Sequence, residues 1–174
     1  MKETRIKHVN FMAYITLDDG IRYAILQKRG EFNHETMSPE SWPGACQPTM
    51  HGDVMEGEDP EDAFDREFFE KLGIGFSLLG YPRSRVEKKA PEDISGEDSL
   101  DYVSRVTSRF LPDIRLIFST GGMRLINERQ ALEIGLTEIT TLAKDRAVPQ
   151  NILAMSEHDY RLLIWGFDFF RQYK

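Results

Sequence analysis

HGDVMEGEDPEDAFDREFFEKLGIG, residues 51–75, carries the strongest helix signal in the chain. Asp59 can cap a helix, and Pro60 suits its first position, where a missing N–H costs nothing. Glu61 and Asp62 favour the positive end of the helix dipole. Phe64, Phe68 and Leu72 recur every four residues as a buried stripe, and Gly73 is the expected stop. The reading is a helix over 59–72. Side chains three and four apart share a face, so Glu67, Glu70 and Lys71 are expected to point together, away from the Phe68/Leu72 stripe. Glu58 stands just before the helix, within reach of that face. Carboxylates beside flexible glycine backbone suit a hard divalent cation, Mg²⁺ or Mn²⁺, which takes oxygen ligands. A solvated acidic face with Arg66 pairing along it is the plainer alternative.

Outward from the helix, strands dominate. Residues 8–17 (HVNFMAYITL) and 21–29 (IRYAILQKR) are β-branched and aromatic, and Asp18-Asp19-Gly20 between them predicts a hairpin. Residues 30–40 read as a polar loop. Residues 42–55 hold Pro43, Gly44, Pro48 and Gly52, and read as an irregular strand or a shaped loop. Beyond the helix, 76–86 and 114–119 read as strands, 87–99 as a mobile charged loop, and 101–110 as strand or helix. Gly121-Gly122 is expected to turn the chain into 123–127, and a short strand or turn follows near 132–139. Ser156 and Asp159 start a final helix through about Gln172. That helix is apolar on most of its circumference, which predicts deep packing or a homodimer contact.

The chain has 174 residues, enough for one domain spanning 1–174 with its own core. Its formal net charge is −7, whereas a non-specific nucleic-acid binder needs a surplus of Lys and Arg. The single cysteine, Cys46, makes no internal disulfide and reads as a buried small residue. No apolar run approaches a membrane span of roughly 18 residues, and the N-terminus lacks a signal-peptide core. A soluble, cytoplasmic protein is the expectation.

The spacing around the helix resembles the box of the Nudix hydrolase family, G-x5-E-x7-R-E-U-x-E-E-x-G-U, where U is a bulky apolar residue. This chain gives Gly52, Glu58, Arg66, Glu67, Glu70, Lys71 and Gly73, matching six of the seven Gly, Glu and Arg positions. The resemblance covers residues 52–74 and implies an α/β/α sandwich with a mixed β-sheet between helices. It implies an Mg²⁺- or Mn²⁺-dependent hydrolase cleaving the diphosphate linkage of a nucleoside diphosphate derivative. By position, Glu67 binds metal or assists the attacking water, Glu70 binds metal, and the Gly52 region offers a carbonyl. Arg66 holds the glutamates, with Glu58 as partner.

Lys71 is the departure, standing where the family has a further metal-binding glutamate. It leaves three outcomes open: fewer metal ions, a direct contact to substrate phosphate, or a domain that binds a nucleotide or a protein partner without hydrolysis. The family often completes its site with a distant carboxylate, for which Glu133 is preferred and Glu128 is the alternative. Trp42 and Phe32 are candidates to stack on a flat group. Lys28, Arg29, Arg83 and Arg85 are candidates for phosphate, and His51 for the site lining. His8, His34 and His158 show no ligand spacing. The stretch before the box is also similar to isopentenyl diphosphate isomerase, but the places of that enzyme's cysteine and histidine hold His51 and Asp53 here, which disfavours isomerase chemistry.

Overall fold

The computed structural model describes residues 6–33, 36–73, 87–107 and 120–172. The strands expected over 76–86 and 114–119 lie outside these residues, as do Arg83, Arg85 and His34. The described elements run β1 (His8–Thr16), β2 (Arg22–Arg29), β3 (Phe32–Asn33), β4 (Ser38–Pro39), β5 (Cys46–Gln47), β6 (Met50–Asp53), α1 (Pro60–Leu72), β7 (Glu87–Lys89), α2 (Glu92–Ser95), β8 (Ser99–Val106), β9 (Thr120–Asn127), α3 (Glu128–Ile134), β10 (Leu136–Glu138), a 3-10 turn (Ile139–Thr141), β11 (Leu153–Met155) and α4 (Glu157–Gln172).

β1 sets the layering because it is apolar on both faces. Val9, Phe11, Ala13 and Ile15 enter one core with Phe64, Phe68 and Leu72 of α1. Met12 and Tyr14 enter the other with Leu162, Leu163, Phe167 and Phe170 of α4. Period-two alternation thus splits one strand between two helix layers. Each fully buried large side chain contributes about 1.5–3 kcal/mol. The result is a mixed sheet between helices, as the resemblance implied.

Seven described strands form that sheet, in the order β5-β2-β1-β8-β7, with β6 on β1 and β9 on β2. β8 runs parallel to β1, from His8 opposite Ser99 to Ile15 opposite Val106. The other edge of β1 is divided: residues 8–11 pair with β6 and residues 13–16 with β2, both antiparallel. Thr49, fully buried, fills the fork. Its hydroxyl accepts from the Ala13 N–H at 2.8 Å and donates to the Ile25 carbonyl. That plug satisfies backbone groups the divided pairing would orphan, and it fixes where β6 and Gly52 begin.

Several expectations change. Residues 87–99 are structured: β7 pairs with β8, and α2 follows. The ambiguous 101–110 stretch is strand through Val106. Gly121-Gly122 does not turn the chain but lies inside β9, where the Arg29 carbonyl oxygen would stand 2.3 Å from a Gly121 Cβ. Only glycine admits that approach, at the β2 irregularity between Gln27 and Arg29. Residues 132–134 belong to α3, and the short strand begins at Leu136. No described helix is long and apolar enough to cross a membrane.

Candidate functional site

α1 is built as its sequence dictates. The Asp59 carboxylate accepts from the Glu61 N–H at 2.8 Å, and Gly73 closes the helix at φ 69°. The buried face differs from expectation. Glu67 does not share the solvent side with Glu70: it is 6% exposed and lies with Phe64 and Phe68 on the packed side. A gap in the facing strand explains it. A Cβ on Gly52 would stand 2.0 Å from Glu67 Cγ and 2.6 Å from Oε2. The missing side chain of Gly52 is therefore the space that the Glu67 carboxylate occupies.

Arg66 gathers the acids. Its Nε and Nη2 donate to the two oxygens of Glu58 at 2.8 and 3.0 Å, a bidentate pair. Its Nη1 donates to Glu67 Oε1 at 2.8 Å and Glu70 Oε2 at 3.1 Å, and Nη2 also reaches the Asp53 carbonyl at 2.8 Å. One guanidinium thus ties the helix to the end of β6. Those hydrogen bonds hold the Glu58 carboxyl down to about 2. Glu67 moves the other way: burial raises its pKa, against the hydrogen bond from Arg66 and the positive charge of Lys71. Glu67 Oε2 is buried and has no hydrogen-bond partner among the described residues. A buried orphan carboxylate oxygen is costly. It fits a cation, and with Glu70 and the Gly52 backbone alongside, the donor set is one of oxygens.

Across β6 the side chains alternate, so His51 and Asp53 face away from Glu67. His51 borders a cavity of about 280 Å³ that Arg29, Trp42, Cys46, His158 and Asp159 also line. Three of the expected substrate-side residues, Arg29, Trp42 and His51, therefore meet in one cavity. Trp42 has φ 52°, rare outside glycine. Its backbone N–H donates to the Lys144 carbonyl at 2.7 Å and its indole N–H to the Leu142 carbonyl at 3.0 Å. Arg29 and Lys144 both lie over its ring, at 5.8 and 5.2 Å. Lys28 lines a neighbouring cavity of about 410 Å³ with Arg124. Phe32 does not line the His51 cavity.

The cavity wall holds a polar chain that the sequence did not announce. His51 Nδ1 lies 2.6 Å from Asn10 Oδ1. Asn10 Nδ2 donates to Ser99 Oγ at 3.0 Å and Asp101 Oδ1 at 2.6 Å, and His158 Nε2 meets Asp101 Oδ2 at 2.7 Å. Burial lowers the His51 pKa to about 4, while the hydrogen bond to Asp101 raises that of His158. Burial pushes Asp159 up to about 6. The members come from β1, β6, β8 and α4, with no fixed spacing, so only strand register and the packing of α4 on the sheet unite them.

The distant carboxylates are not brought to this cluster. α3 begins beyond Asn127, which pairs with Tyr23 at the opposite end of β2 from Arg29. There Glu133 is exposed and pairs with Arg129 at 3.4 Å, and Glu128 pairs with Arg171.

No family model matches the sequence, and no curated protein matches it. Solved structures do match in shape. The NUDIX domain of NrtR from Shewanella oneidensis, solved with ADP ribose, is 13% identical with a TM-score of 0.52, over 96% of this chain and 88% of that one. A putative NUDIX hydrolase from Listeria monocytogenes is 10% identical with a TM-score of 0.50, over 95% and 94%. At such identities the likeness is one of fold, and it agrees with the box residues that α1 and β6 carry in place. This chain is a Nudix-fold protein.

Proposed function

We propose that this chain is a divalent-metal-dependent hydrolase acting on the diphosphate linkage of a nucleoside diphosphate derivative. The observation that carries the reading is the buried, unpartnered Glu67 Oε2 seated over Gly52 within the Arg66 cluster. Glu67, Glu70 and the Gly52 carbonyl are the groups that would hold Mg²⁺ or Mn²⁺. When bound, the ion neutralises phosphate oxygens and helps position the attacking water. Arg66 fixes Glu67 and Glu70 through its own contact to Glu58, so the carboxylates are oriented before substrate arrives. Arg29, Trp42 and His51 form the wall of a cavity near the lower size limit for small-molecule sites. It suits the part of the substrate beyond the diphosphate. The Shewanella neighbour, solved with ADP ribose, supports a substrate of this class.

Lys71 favours a second reading, a domain that binds such a ligand without cleaving it. Its positive charge acts on both Glu67 and His51, where the family pattern has a carboxylate. The test is phosphate release from a panel of nucleoside di- and triphosphates and diphosphate conjugates, with coupling enzymes, Mg²⁺ or Mn²⁺, and an EDTA blank. Turnover that needs metal and disappears in Glu70→Gln establishes the hydrolase. An inert wild type whose Lys71→Glu variant gains turnover makes the natural domain a binder.

A further inference from the structure

We propose that His8, His51 and Asp53 form a binding site for a divalent transition-metal ion of the zinc class, separate from the carboxylates of α1. One ligand atom from each of the three residues lies within 4.8 Å of the others. The juxtaposition follows from register. His8 stands opposite Asp53, and Asn10 opposite His51, in the antiparallel β1–β6 pair. Period-two alternation then puts both imidazoles and the Asp53 carboxylate on one face. Gly52, between His51 and Asp53, opens toward Glu67 on the other face. The two candidate ion sites therefore share a strand but stand on opposite sides of it.

The site is oriented in advance. The imidazole rings of His8 and His51 are stacked, with centroids 5.9 Å apart and planes at 21°. His8 Nδ1 lies 2.9 Å from Asp53 Oδ1. The tautomer of His51 is set by its neighbours. The Asn10 amide nitrogen is committed to Ser99 and Asp101, so its oxygen faces His51 Nδ1 at 2.6 Å. Nδ1 therefore carries the proton, and Nε2 keeps the lone pair. Metal-binding histidines are held in this way, by a second polar partner on the non-ligating nitrogen. Binding displaces the proton shared between His8 and Asp53.

The donor chemistry separates the two sites. Two imidazoles and one carboxylate suit zinc and related ions, whereas magnesium prefers oxygen throughout. Three protein ligands leave a coordination position open. His8 and His51 both line the 280 Å³ cavity, so an anionic group of a molecule in that cavity can take the open position.

The experiment titrates Co²⁺ into the chelator-treated full chain in excess Mg²⁺, which saturates an all-oxygen site. The readouts are the visible absorption of Co²⁺ and the histidine ring resonances. The expected result is one Co²⁺ per chain. His8→Ala and Asp53→Asn should each weaken it roughly tenfold or more, with circular dichroism unchanged. The Glu67→Gln/Glu70→Gln double variant should bind as the wild type does. No binding in excess Mg²⁺, binding indifferent to His8→Ala and Asp53→Asn, or binding abolished by the double variant would each overturn the site. None of these outcomes depends on whether the chain hydrolyses anything.

Discussion

Gly52 and Gly166 each leave room for a long polar side chain from the facing layer. Gly166 sits in α4, where an added Cβ would stand 2.2 Å from the Tyr14 hydroxyl; Gly52 sits in β6, where it would stand 2.0 Å from Glu67. The packing device is the same, but the polar ends fare differently. The Tyr14 hydroxyl donates to the Leu163 carbonyl at 2.8 Å, and edge contacts to Phe167 and Phe170 hold its ring. Its burial is complete and its hydrogen bond is made. Glu67 is also buried, yet one of its oxygens finds no partner among the described residues. A satisfied buried polar group specifies packing, whereas an unsatisfied one costs free energy. The contrast separates a satisfied structural contact from the buried orphan oxygen on which the proposed metal site rests.

The largest expected effect lies on the Gly52 side. Glu67→Gln should lower metal-dependent turnover about 10²–10³-fold, comparable to removing one essential electrostatic group. It should leave folding stability unchanged or raised, within about 1 kcal/mol, because burial already penalises the Glu67 charge and Arg66 keeps Glu58 and Glu70 as partners. Steady-state kinetics beside urea unfolding checks both halves. A variant that keeps its activity and unfolds readily would make Glu67 a structural residue like Tyr14, and the contrast would be broken.

Gly166→Ala tests the other side. In an exposed helix this change stabilises by about 1 kcal/mol. Here the new methyl meets the Tyr14 ring, so the expected outcome is destabilisation of about 1–3 kcal/mol from overpacking. Thermal unfolding reads the sign directly. Tyr14→Phe should cost less, about 1 kcal/mol for the lost hydrogen bond, and should leave turnover unchanged.

The smallest effect concerns the cavity wall. The hydrogen bond to Asp101 raises the His158 pKa in the folded chain. A raised histidine pKa means that the folded state binds the proton more tightly than the unfolded one. The stabilisation is fully present below the unfolded value of about 6.5 and is lost as pH rises through the folded value. The stability gap between wild type and His158→Gln should therefore narrow from pH 5 to pH 8. A gap that widens over that range would show that His158 is neutral in its contact with Asp101.

α1 was legible because its signals are local. Asp59, Pro60, the Phe64/Phe68/Leu72 stripe and Gly73 act within a few turns, and the structure returns the helix with both caps. The β1–β2 hairpin and α4 were legible for the same reason. Arg66, Glu67 and Glu70 were nameable because helical spacing and the box place them together. The side on which Glu67 points was not legible, since the periodicity of α1 says nothing of a glycine on a strand. Glu133 illustrates the converse. Its chemistry qualified it, but β9 delivers α3 to the far end of the sheet. The 87–99 stretch failed as a loop because Glu87–Lys89, charged residues with no apolar periodicity, are ordered by backbone pairing with β8.

By itself, then, the sequence determined helices α1 and α4, the β1–β2 hairpin, and the identity of the acids around Arg66. These rest on local propensity, capping and period, which act between near neighbours. Only the tertiary structure decided that Glu67 fills the space left by Gly52, that His8, His51 and Asp53 meet across one strand pair, and that Asn10 and His158, joined through the buried Asp101, wall a cavity. Those contacts join residues far apart in the chain, and strand register with side-chain alternation fixes them. A one-residue slip of β1, β6 or β8 would turn the side chains that strand contributes to the other face.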